Sequence, residues 1–122
     1  MAALKEKSVS LLVTAAAVDI NNAAKQLAYT CPSGKSCVIT EIVVRNLSEA
    51  AASNSISFGW NTNANDVIAN ATYASFTGST VYTRINPMAG ATRGTSAQIF
   101  GVIANTPSSA ATATIDVFGY LY

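Results

Sequence analysis

Apolar and polar residues alternate along this chain with a period of two, and turn residues cut the alternation at short intervals. No apolar run at helical spacing lasts long enough to make a helix, so the pattern restricts the chain to sheets. The alternation is plainest in Val38-Ile39-Thr40-Glu41-Ile42-Val43-Val44-Arg45 and in Ser55-Ile56-Ser57-Phe58-Gly59-Trp60. In the first, Val38, Thr40, Ile42 and Val44 share one face, and Glu41 and Arg45 mark the other as wetter. In the second, Ile56, Phe58 and Trp60 point to the core and the serines point outward. Further strands are expected at about Val9–Val18, Lys25–Cys31, Thr72–Phe76, Val81–Ile85, Ala97–Ile103 and Ala113–Leu121. They are separated by Asn21-Asn22, Pro32-Ser33-Gly34, Asn61 to Asp66, Thr77-Gly78-Ser79, Asn86-Pro87 and Pro107-Ser108-Ser109. The expected fold is all-β: a single-domain antiparallel β-sandwich of roughly eight strands, jelly-roll-like. One sequence does not contain the strand order, so an immunoglobulin-like winding stays open.

With 122 residues the chain can build one core and not two, and residues 1–122 are read as one domain. Residues 1–7 precede the first strand and are expected to serve as an extended N-terminal arm. The stretch Ser10 to Ala17 follows Lys5 and Lys7 with the outline of a leader peptide. Glu6 and Thr14 interrupt that outline, and a first strand fits better. Nothing approaches the ~20 apolar residues of a membrane span, and no membrane partner is expected.

Only 11% of the residues are charged, against about 25% in an ordinary domain. Ser, Thr, Asn and Ala must therefore cover the surface. Hydroxyls and amides cost less to dehydrate than charges, which suits a molecule pressed against neighbours. The net charge is +1 and the basic residues are scattered, so no phosphate-neutralising patch forms and no nucleic-acid partner is expected.

Enzyme chemistry finds little here. The chain has no histidine, which removes the commonest general base and the Ser-His and Cys-His nucleophile pairs. Glu6, Asp19, Glu41, Glu49, Asp66 and Asp116 are the only carboxylates, and none sits in a paired-acid motif. Gly90 and Gly94 lack the strand-turn-helix setting of a phosphate loop. Asn61 to Asp66 lacks the central glycine and final glutamate of a helical-hand calcium loop, and is read as a polar loop. No catalytic residue, cofactor or metal is assigned, and the chain is read as a non-enzyme. Cys31 and Cys37 bracket Pro32 to Ser36, which reads as a hairpin turn that would bring the two within disulfide range. A bridge and a pair of free thiols both remain open. Trp60, Tyr73 and Tyr82 could stack on a sugar ring, although Trp60 lies in phase with Ile56 and Phe58 and is better placed in the core.

The last strand says most about function. In Thr114 to Tyr122, Ile115, Val117 and Leu121 share one face, and Phe118, Tyr120 and Tyr122 share the other. A strand with one wet face alternates apolar with polar, and here only Asp116 does so. The aliphatic face enters the core. The aromatic face then needs a cover: a loop, the N-terminal arm, or a second subunit. Because aromatic residues are enriched at protein interfaces, Phe118, Tyr120 and Tyr122 are read as interface residues.

Two stretches, Pro32 to Lys35 leading into Val38 to Asn46 and the closing Ile115 to Tyr120, resemble small jelly-roll virion proteins of tailed double-stranded DNA phages. That resemblance implies a head decoration or cement protein in the virion, assembled in the host cytoplasm. Such a protein binds the outer surface of a phage head, clamps the major capsid protein and associates with itself, commonly as a homotrimer. Relatives in tails, fibres and spikes supply the alternative, a receptor- or glycan-binding domain.

Overall fold

The computed structural model describes residues 9–122, which form eight strands without a helix among the described residues. They are β1 (Ser10–Asp19), β2 (Gln26–Thr30), β3 (Cys37–Arg45), β4 (Ser55–Gly59), β5 (Ile68–Ala71), β6 (Tyr82–Ile85), β7 (Ile99–Thr106) and β8 (Thr112–Leu121). Residues 1–7, read above as an arm and including Glu6, lie outside the described residues.

The strands form two four-stranded antiparallel sheets, in the orders β1-β8-β3-β6 and β2-β7-β4-β5. The first half of the chain pairs with the second half in reverse: β1 with β8, β2 with β7, β3 with β6 and β4 with β5. A long antiparallel ribbon rolled into two layers gives this order, and β3–β8 and β4–β7 pairing joins the turns of the roll. This winding is the jelly roll, so the immunoglobulin-like alternative is set aside.

Between the layers lies one core. Val18, Ile42, Val44, Ala113, Ile115 and Val117 reach in from one sheet, and Ala28, Ile56, Phe58, Phe100, Val102 and Ala104 from the other. Phe58 stacks on Phe100 at 6.2 Å, and Trp60 packs on Phe100 at 5.2 Å. Trp60 is only 3% exposed, as its phase with Ile56 and Phe58 requires.

Three local readings are corrected. The short strand expected at Thr72–Phe76 lies instead at β5, just before it. Thr72–Phe76 is a turn, closed by Phe76 N–H donating to the Tyr73 carbonyl at 3.0 Å. Its aromatics are plugs three residues apart: Phe76 is fully buried and Tyr73 stacks on it at 5.0 Å. An edge strand built from Ile68-Ala69-Asn70-Ala71 buries only Ile68 and leaves almost no hydrophobic signal.

The connection from Cys31 to Cys37 is not a hairpin. Strand β2 belongs to one sheet and β3 to the other, so this segment crosses between layers. Third, the faces of β3 do not alternate without a break. The register against β8 slips between Ile39 and Glu41, a β-bulge that inserts Thr40. Cys37 and Ile39 are therefore buried together with Ile42 and Val44, while Val38 joins the outer face.

The pairing of β8 with β3 depends on a bare backbone at Gly119. A Cβ placed there would collide with the Val38 carbonyl oxygen, and because the atoms it meets are all β3 backbone, no flexible side chain can give way. Gly78, in an open turn, would meet nothing within 4 Å. We expect Gly119→Ala to lose about 1–3 kcal/mol of stability by overpacking, read by urea denaturation, with Gly78→Ala close to wild type. Equal stabilities for the two variants would contradict this packing.

Candidate interaction face

The outer surface of the β1-β8-β3-β6 sheet is assembled by cross-strand neighbours that the register places side by side. On β8, Asp116, Phe118 and Tyr120 point away from the core while Ile115, Val117 and Gly119 are buried. Phe118 lies between Leu11 on β1 and Glu41 on β3, and Tyr120 lies opposite Val38. Val43 sits opposite Asp116, and β6 adds Arg84 beside Val43 and Tyr82 beside Arg45. Leu11 is 51% exposed and Tyr82 66% exposed; Phe118, Tyr120, Val38 and Val43 are half-buried. The face thus has an aromatic and aliphatic half at the C-terminal end of β8. A charged half lies toward its start.

The charges in that second half neutralise one another. Arg45 Nε donates to Asp116 Oδ2 at 2.8 Å and its Nη2 to Oδ1 at 3.3 Å, a two-pronged contact. Thr14 Oγ1 donates to the same Asp116 Oδ1 at 2.8 Å, so one carboxylate ties β1, β8 and β3 together. Arg84 Nη2 lies 3.2 Å from Glu41 Oε2 on the neighbouring strand. The arginine hydrogen bonds hold the Asp116 carboxyl below its ordinary range, with burial opposing them and the Thr14 hydroxyl assisting.

Tyr122 closes the chain beside this face. Its backbone pairs with Ser36 in both directions, at 2.9 and 3.0 Å. The Tyr122 ring lies 6.3 Å from that of Tyr120. Arg93 donates from Nη1 to the Tyr122 hydroxyl at 2.7 Å and leans over the ring at 5.8 Å from its centroid. Tyr122 remains 42% exposed. Phe118, Tyr120 and Tyr122 therefore fall on one surface, at the rim of which Leu11 and Val38 extend the apolar area. Sequence reading missed both of these. Leu11 becomes a neighbour of Phe118 only through the β1–β8 pairing, and Val38 is turned outward by the bulge at Thr40.

The other candidate residues go elsewhere. Asp66 Oδ1 accepts from the backbone of Trp60 at 2.7 Å and of Asn61 at 3.4 Å, and Asn61 bonds Asn65 across the same loop. The side-chain oxygens of Asn61, Asn65 and Asp66 are thus engaged within the loop. Asp19 caps the Asn21 N–H at 2.8 Å, and Glu49 is exposed. Among the described residues no group of three metal-ligating side chains comes together. Cys31 and Cys37 are both fully buried, with unjoined thiols. On the outer side of the second sheet, Lys25, Thr62, Asn63, Ile99 and Ile103 line a shallow cleft of about 630 Å³. There Lys25 Nζ donates to the carbonyls of Trp60 and Asn61 at 2.9 and 3.1 Å, so most of its donors are used within the fold.

No protein-family model and no curated protein matches the sequence. Among solved structures, the fold is similar to a chain described as "Acidic stable capsid structure of Helicobacter pylori bacteriophage KHP30". The TM-score is 0.53 at 16% identity, over 93% of this chain and 92% of that chain. The similarity is one of fold and spans the whole sandwich.

The Asp116 contacts make a pH-dependent contribution to stability. A carboxyl whose pKa is lower in the folded state stabilises the fold above its unfolded value, and that contribution disappears as the pH falls through the folded value. We expect Asp116→Asn to be less stable than wild type at neutral pH, with the difference narrowing as the pH drops below about 4. Urea midpoints across that range measure it, and a gap independent of pH would contradict the assignment.

Proposed function

We propose that this chain is a structural protein of a phage virion, a cement or decoration protein that binds the outer surface of the head. The outer face of β1-β8-β3-β6 carries the proposal. Phe118, Tyr120 and Tyr122 with Leu11, Val38 and Val43 make a contiguous apolar surface of the kind that marks an interaction site. Its four charged side chains are paired in advance, Arg45 with Asp116 and Arg84 with Glu41. Covering the face would leave neither pair broken, and an unpaired buried charge costs far more than a paired one; Arg93 at the edge is engaged with the Tyr122 ring and hydroxyl.

In this reading the aromatic half joins copies of the chain, as a homotrimer, and the assembled unit rests on the major capsid protein. The second sheet offers a further contact: Leu27 on β2 and Ile99 on β7 are 56% and 45% exposed. A protein that links neighbours in a repeating shell needs more than one sticky surface, and many weak contacts then add through multivalency. The similarity in fold to a chain of a phage capsid structure supports the setting.

A glycan-binding role would need an exposed aromatic in a concave site, with Trp60, Tyr73 and Tyr82 as the candidates. Of these Tyr82 is well exposed but lies on the flat outer sheet face, Tyr73 is half-buried and stacked on Phe76, and Trp60 is in the core. We therefore favour assembly.

Phe118→Ser is the most direct variant. It removes a half-buried ring from the outer face and leaves the core side of β8 intact. We expect a folded monomer, with a wild-type circular dichroism spectrum and a light-scattering mass one third that of the parent trimer. Heads assembled without the protein should lose integrity at a lower temperature than complete heads. A wild-type monomer on sizing, or heads equally robust without it, would overturn the proposal.

A further inference from the structure

Cys31 and Cys37 take no part in the proposed assembly, yet they occupy a specific place in the roll. Cys31 follows the end of β2 in one sheet, and Cys37 begins β3 in the other. Both side chains face the interior and both are fully buried. Their backbones are held against one short segment. Cys37 exchanges two hydrogen bonds with Gly94, at 2.9 and 2.8 Å, which makes a close antiparallel pair. Cys31 donates to the Gln98 carbonyl at 2.8 Å and accepts from Ala97 at 3.0 Å. The segment from Gly94 to Gln98 folds back through a turn in which Gln98 N–H donates to Thr95 at 3.0 Å. Two cysteines fastened to opposite ends of one tight turn are brought together at the same end of the sandwich. The crossing loop adds to this: Lys35 N–H donates to Pro32, Gly34 takes a positive φ of 76°, and Cys31 Sγ lies 3.3 Å from the Lys35 carbonyl.

We propose that Cys31 and Cys37 form a latent inter-sheet disulfide, which closes in an oxidising environment and locks the two layers together at the β2–β3 crossing. The oxidant is a low-molecular-weight disulfide such as oxidised glutathione. One cysteine thiolate attacks it, giving a mixed disulfide and releasing one glutathione thiolate. The second cysteine thiolate attacks the protein sulfur of that mixed disulfide, the Cys31–Cys37 bond forms, and the second glutathione leaves. The two cysteine protons end on the two glutathione thiols. The chain loses two hydrogens and two electrons, and the oxidant gains them.

The reduced fold resists this reaction. Burial pushes the Cys37 thiol up to about 12, with Cys31 adding to the effect, and burial raises Cys31 as well. Since the thiolate is the nucleophile, closure proceeds while the crossing is open, during folding or a transient loosening of this end. The bond would then constrain the unfolded chain and add a direct covalent tie between two layers held here by packing and by backbone hydrogen bonds to the Gly94–Gln98 segment.

The test is to refold the full chain with oxidised glutathione and compare it with chain refolded under reductant. We expect each chain to become lighter by two hydrogens with no disulfide to another copy, both thiols being lost together and the Cys31–Cys37 bond found by peptide mapping. The melting temperature should rise by roughly 5–10 °C over the reduced form. Cys31→Ala should abolish the oxidant-dependent rise, and if it does not fold, the wild-type mass and mapping decide alone. Both thiols persisting after oxidative refolding, stable glutathione adducts, disulfide-linked dimers, or a bridged form that melts no higher than the reduced one would each overturn the proposal.

Discussion

Strand β8 carries the molecule, because it is apolar on both sides and central in its sheet. Its buried side, Ala113, Ile115 and Val117, supplies a third of the buried hydrophobic residues on the strands of its sheet, and pairing with β1 on one flank and β3 on the other closes the roll. A central strand ordinarily shows one wet face in an antiparallel sandwich. Here Phe118 and Tyr120 occupy that face, so the strand that completes the fold also creates its apolar exterior. The core and the exposed apolar face therefore share one element. A change on one side of β8 is felt by the core, and a change on the other by whatever covers the sheet.

The scarcity of charge fits that arrangement. With so few ionic side chains, the outer face of the β8 sheet pairs the four it has across adjacent strands. Asp116 does more than neutralise Arg45. Through Thr14 it reaches β1 as well, tying three strands on the solvent side as Ile115 and Val117 tie them on the core side. The register of the face is thereby fixed before any neighbour arrives. A preset surface lowers the ordering cost of association.

Much of this was legible in the residues. Seven strands fall where the alternation puts them, most plainly β3 and β8, in which buried and outward residues alternate over most of the length. The eighth failed for a physical reason: β5 is an edge strand that buries one side chain, while the Tyr73 and Phe76 plug next to it imitates a strand. The two faces of β8 could be read from the chain, and so could the place of Trp60 in the core. The bulge at Thr40 could not, since a slipped register is a property of two strands together and it exchanges the roles of Val38 and Ile39. For the same reason Leu11 gave no sign of being Phe118's neighbour. The Cys31–Cys37 crossing was mistaken for a hairpin because a Pro-Ser-Gly-Lys turn is compatible with either, and only strand order separates them.

The proposed virion role is tested most directly by asking whether the β1-β8-β3-β6 sheet is covered in particles that contain the protein. Hydroxyl-radical footprinting of the isolated chain and of purified particles reads this at named side chains. The account predicts strong protection of Phe118, Tyr120 and Leu11 on assembly, while Met88, 39% exposed in the single chain, keeps its labelling. Labelling of Phe118 and Tyr120 that is the same in both samples would contradict it.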